Sequence, residues 1–173
     1  MQTNIKPSKK PMLTTKMLVI LALLAALSFV LEKFLGIDTM YFKLHFGYLP
    51  VAAAGMLFGM IPALMVGVIV DILGNLQYFN IFFVLLAALE AAAFAFFLHP
   101  RKEGKKEMIM QAVLCQLFIS IVVQMGLNTL LLWLLYHSFN PIRFLITVLV
   151  FPIKVFSLYL LLKYRKAFET YIA

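Results

Sequence analysis

Residues 48–76 read YLPVAAAGMLFGMIPALMVGVIVDILGNL. Nearly every position is apolar, yet Gly59-Met60-Ile61-Pro62 places a tight turn in the middle of the run. A membrane-crossing helix needs about 20 apolar residues. The turn therefore divides this stretch into two short helical segments, approximately Tyr48–Met60 and Ile61–Leu76. Interrupted segments of this kind sit at membrane depth only where other protein covers the backbone groups that the break leaves free. The expected architecture is thus a compact bundle that encloses a cavity, rather than a ring of ideal spans.

The composition of the whole chain agrees. Of its 173 residues, 64% are hydrophobic, 14% aromatic and 13% charged, and the mean hydropathy is +1.01. Soluble domains carry roughly 25% charged residues, so this chain lacks the polar surface to cover a water-soluble globule. It reads as an all-α integral membrane protein, and a disordered chain, a disulfide scaffold and a secreted enzyme are excluded. Four further segments, Met17–Leu35, Ile81–Leu98, Met108–His137 and Ile142–Lys163, complete a bundle of six transmembrane helices. They use up the length, so residues 1–173 form a single membrane domain with no room for an ATPase of its own. The apolar run after the basic segment 1–16 continues to Leu35, which favours a retained first helix over a cleaved signal. Cys115 is the single cysteine and lies in an apolar stretch, so neither a disulfide nor a cysteine metal cluster is available.

Net charge is +8, but the cations sit between apolar runs, so they orient the spans rather than bind nucleic acid. Lys6, Lys9, Lys10 and Lys16 precede the first helix; Arg101, Lys102, Lys105 and Lys106 lie between the fourth and fifth; Lys163, Arg165 and Lys166 follow the sixth. In a six-span chain these regions share one side, which predicts that both termini are cytoplasmic. Gly36–Gly47, Gln77–Asn80 and Ser138–Pro141 are then outward loops. Neither an internal repeat of solenoid or rocker type nor a voltage-sensor or filter sequence is found.

Polar residues inside apolar helices mark the candidate site. A carboxylate such as Asp71 is expensive in lipid and is a functional candidate by default; Asn75, four residues on, shares its face. A structural hydrogen bond at a helix end is the plainer reading of the pair. Glu90 and Lys154 are suited to pair as structural glue. Gln124, Asn128 and Thr129 can bond a neighbouring helix or a heteroaromatic ligand. Arg143 either snorkels to headgroups or offers forked donors to a carboxylate. The aromatics Tyr41, Phe46, Tyr48, Tyr78 and Phe79 beside Lys43 suit either an interfacial belt or a flat anionic ligand. Ala22 and Ala26 form a small-xxx-small pair, fit for packing within the chain or for docking another membrane protein. Gly55 with Gly59, and the alanines between Ala87 and Ala95, read as internal seams. His45, His99 and His137 are scattered, and no nucleophile–base motif, Walker sequence or metal-ligand set is present.

These residues, in order and spacing, resemble the substrate-binding S components of energy-coupling factor (ECF) vitamin transporters, and most closely the folate branch. The resemblance rests on Ala22-xxx-Ala26, Phe46-Gly-Tyr-Leu-Pro50-Val, Leu57-Phe-Gly59, Gly67-xxx-Asp71-xx-Gly74, Leu127-Asn-Thr-Leu130, and Arg143 placed nine residues before Pro152-Ile153. It implies a bacterial multi-pass membrane protein that binds a vitamin from outside and works with a coupling subunit and two cytoplasmic ATPases. ATP and magnesium would be used by those ATPases, this chain needing no cofactor. Ala22 and Ala26 would be the docking face, and the chain would topple in the bilayer to deliver its ligand. For folate, the resemblance together with the polar pattern implies Asp71 and Asn128 at the pterin edge, with Asn75 and Thr129 nearby. Tyr41, Phe46 and Tyr78 would stack on the rings, and Lys43 and Arg143 would attract the carboxylates. An S component for another anionic vitamin, such as pantothenate, is the alternative, followed by a stand-alone carrier coupled to protons through Asp71 or Glu90.

Overall fold

The computed structural model describes residues 14–34, 36–38, 43–76, 79–99, 104–137 and 141–172. Helix α1 (Thr15–Phe34) starts behind Thr14, whose hydroxyl accepts the Met17 N–H at 3.4 Å and caps the first turn. Its stripe Leu21, Ala25 and Ser28 is buried, whereas Leu18, Leu23 and Leu27 face outward. Next comes a feature that periodicity did not suggest. Strands β1 (Ile37–Asp38) and β2 (Lys43–Leu44) pair antiparallel, Ile37 opposite Leu44 and Asp38 opposite Lys43.

Helix α2 (Tyr48–Phe58) occupies the centre of the bundle, with Ala52, Ala54 and Met56 fully buried. The expected turn then shrinks to one residue, since α3 (Met60–Gly74) begins directly after Gly59. Gly59 has φ +87°, a conformation that side chains rarely tolerate, and its N–H still reaches the Gly55 carbonyl at 3.1 Å. Pro62 falls in the first turn of α3, where a missing N–H breaks no helical bond. At the other end, Lys33 of α1 donates to the Gly74 carbonyl at 2.7 Å, so a last-turn cation of α1 caps the C-terminus of α3.

Helix α4 (Ile81–Leu98) is capped by Asn80, whose side-chain oxygen accepts the Phe82 N–H at 3.0 Å. It packs on α2 and α3 through a seam of small residues. A Cβ added at Gly55 would stand 2.9 Å from the Ala95 nitrogen, and one at Gly67 would stand 2.9 Å from the Ala91 Cβ. Gly55 and the α4 alanines thus form an internal seam, while Gly59 serves the turn instead of the seam assigned to it by spacing.

The fifth apolar segment is a continuous rod built from α5 (Lys105–Phe118), a π-helical stretch (Ile119–Asn128) and α6 (Thr129–Tyr136). The lone thiol, Cys115, is fully enclosed in it. Helix α7 (Ile142–Lys163) carries Pro152 in its interior, and α8 (Arg165–Ile172) is a short amphipathic helix beyond the six expected segments. Its Arg165 and Glu169 pair at 2.7 Å.

Apart from the two-residue strands, the described chain is helical. Four helices are long and apolar enough to cross a membrane, and α2 and α3 are shorter apolar helices packed among them. Outward-facing apolar side chains, among them Leu145 at 75% and Leu149 at 73% exposure, mark the surface that lipid would cover. Together these features describe a multi-pass membrane bundle.

Candidate ligand cavity

Where α2, α3 and α4 are drawn together by glycine and alanine, the π stretch and α7 stand off from α1 and α3. They leave a cavity of about 500 Å³. Most of its polar lining gathers at one end of the bundle, at the C-termini of α1 and α3 and the N-terminus of α7. By the alternation of the chain, Lys105, Lys106, Lys163 and Lys166 lie at the other end.

Five of the candidate residues converge here: Asp71, Asn75, Asn128, Thr129 and Arg143 all line the cavity. The Asn75 amide donates to the Asp71 carboxylate at 2.9 Å, so the two act as one acceptor–donor unit at the end of α3. The structure therefore contains both the helix-end bond and the shared cavity face that the sequence offered as alternatives. Asn128 and Thr129 reach the cavity together because of the π stretch. Bonding to the fifth residue along widens the turn, so residues four and five apart straddle one face. Gln124 thereby joins them, and its carbonyl accepts the Thr129 hydroxyl at 3.3 Å. Arg143 sits in the first turn of α7, half-buried, with its carbonyl accepting the Thr147 hydroxyl at 2.8 Å.

The remaining candidates fall elsewhere. Phe46 packs half-buried against the apolar core and is not among the cavity-lining side chains, although its neighbours His45, Gly47 and Tyr48 are. Phe46 and those neighbours enter α2 across a bend, and Phe46 turns toward the core. Tyr41 and Tyr78 lie outside the described residues. Lys43 is described only as backbone of β2. Ala22 and Ala26 are exposed on the outer face of α1, which removes the reading in which they pack within this chain.

Several lining residues escaped the sequence reading. Ser28 and Glu32, four apart on α1, both face the cavity, and the Ser28 hydroxyl donates to the Gly47 carbonyl. Glu32 lies against Gly74, where an added Cβ would stand 3.4 Å from its carboxylate. The rule that singled out Asp71, a carboxylate within an apolar helix, applies equally to Glu32. Glu90 and Lys154 also line the cavity and lie within each other's electrostatic field. The direct ion pair expected of them is absent, since neither head group has a partner of opposite charge within 4.0 Å among the described residues. No group of three metal-ligating side chains occurs among the described residues.

A family model described as "ECF-type riboflavin transporter, S component" matches residues 12–160. The chain belongs to that family. It is therefore a transporter component and not an enzyme. A curated relative in Clostridium novyi (strain NT), the folate transporter FolT, is 28% identical over 151 residues, which cover 82% of this chain and 85% of the relative. The crystal structure of FolT bound with folic acid superimposes with a TM-score of 0.73 at 25% identity, covering 84% of this chain and 92% of that one. The S-component fold thus extends over most of this chain.

Proposed function

We propose that this chain is the folate-binding S component of an ATP-driven ECF uptake transporter. The observation that carries the proposal is the convergence of Asp71, Asn75, Asn128 and Arg143 on one cavity in a chain of this family. A pterin carries ring N–H donors beside ring-nitrogen and carbonyl acceptors. The carboxylate of Asp71 takes donors, while the amides of Asn75 and Asn128 serve either sense and Thr129 adds a hydroxyl. Arg143 presents a forked set of donors to a glutamate carboxylate, with Lys43 as a second cation for the tail. The similarity to FolT supports the same reading.

Riboflavin is the second reading, because the matching family model bears its name. Its isoalloxazine is also flat and polar at one edge, but the vitamin has no carboxylate for Arg143. Titration of the purified protein from a vitamin-depleted host, followed through Trp133 fluorescence or calorimetry, separates the two. Folic acid is expected to bind with one ligand per chain and riboflavin far more weakly; the reverse order would overturn the assignment.

In this proposal the chain sits in a bacterial cell membrane with both termini cytoplasmic, as the positive-inside rule requires, and the cavity opens outward. Energy comes from a coupling subunit and two ATPases that use ATP and magnesium, docked on Ala22 and Ala26. Their exposure on an apolar helix face supports that surface, because small side chains allow a partner helix to approach closely. Paired Ala22→Leu and Ala26→Leu substitutions are expected to leave the folic acid titration unchanged and abolish co-purification with the coupling subunit. Retained co-purification would remove the docking role.

A further inference from the structure

Below the residues just discussed, the cavity reaches Glu90 on α4 and Lys154 on α7, near the middle of both helices. Ionisable side chains at this depth are expensive, and paired ones normally touch. Here neither head group makes a hydrogen bond or an ion pair within 4.0 Å among the described residues, and both remain half-buried with a face on the cavity. Their surroundings hold them in place. The Lys154 ammonium stands 5.4 Å from the centre of the Tyr48 ring, and that ring stacks on Phe94 at 6.2 Å. Tyr48 is only 6% exposed and lines the same cavity. Its hydroxyl lies beside Ser157, whose own proton goes to the Ile153 carbonyl at 2.9 Å.

A carboxylate that accepts and an ammonium that donates, facing one space without touching, match a neutral group presenting N–H and C=O side by side. We propose that Glu90 and Lys154 form a deep subsite for the lactam edge of a heteroaromatic ring, Glu90 accepting from N–H and Lys154 donating to the carbonyl oxygen. This rests on the ligand reading above and deepens it. The ring is gripped from both sides, by Asp71 and Asn128 toward the mouth and by the charge pair at the floor. A lactam edge takes both charges at once, whereas a carboxylate or an apolar group would leave one of them buried and unmatched.

The test uses isosteric variants, Glu90→Gln and Lys154→Met, in the full chain, titrated with folic acid and with pteroic acid, which lacks the glutamate. Either variant is expected to weaken both ligands by roughly ten- to hundredfold, the range for a hydrogen bond to a charged group. Arg143→Ala is expected to weaken folic acid and spare pteroic acid. Folded variants that keep the parental affinity for both compounds would overturn the inference, as would failure of both variants to fold, which would make the pair structural glue. A parent protein that ignores folic acid but takes riboflavin would remove the folate reading alone. The same variants are then read with riboflavin, whose ring also has an N–H beside carbonyls. A parent that binds neither overturns both.

Discussion

The two sides of this bundle obey opposite rules. Between α2 and α4, Gly55 lies against the Ala95 backbone so closely that one added methyl would collide with main chain. Helices meet there in direct contact, and packing carries it. Between α3, the π stretch and α7, each wall instead offers a polar group: Asp71 and Asn75, Gln124 and Asn128, Arg143 and Lys154. These helices stand off from one another, and their polar groups face the shared cavity. The chain thus obtains a rigid side and a receptive side from one layer of helices, by choosing side-chain size on one and polarity on the other.

The contrast can be broken most severely at the seam. Gly55→Val should destabilise the protein by about 3 kcal/mol, because the clashing atoms at Ala95 are backbone and cannot rotate away; a lowered thermal midpoint in detergent is the readout. On the receptive side the effect should move from stability to binding. Arg143→Ala is expected to weaken folic acid by about 2 kcal/mol, roughly thirtyfold, while the ligand-free midpoint barely changes. Asn128→Ala should follow with about 1 kcal/mol, roughly fivefold, in the same titration. Outside both regions, Arg165→Ala removes an exposed pair on α8 and should shift stability by no more than about 0.5 kcal/mol with binding unchanged. A seam variant that lost affinity but kept its melting point would dissolve the distinction.

Much of this arrangement was readable beforehand for a simple reason. In lipid a polar side chain has few places to go, so Asp71, Asn75, Asn128, Thr129 and Arg143 announced a shared interior. Gly59 and Pro62 likewise announced the break between the short helices, because the backbone admits few alternatives there. Other features leave no such mark. Nothing in Ile119–Asn128 distinguishes bonding to the fifth residue from bonding to the fourth, since side-chain propensities are nearly blind to that change. Phe46 and His45 are adjacent, and only the bend into α2 decides which one faces the cavity. Glu90 and Lys154 had opposite charges and a plausible partnership, but their separation is a matter of helix placement that no pairwise pattern encodes.

Cys115 has a practical consequence. As the sole cysteine in the sequence, and one with no exposed surface, it is shielded from thiol reagents in the folded protein. A cysteine introduced on the outer face, at Leu145 for example, can carry a spin label or fluorophore without first deleting the native one. The protein is its own clean background for watching how it moves in the bilayer.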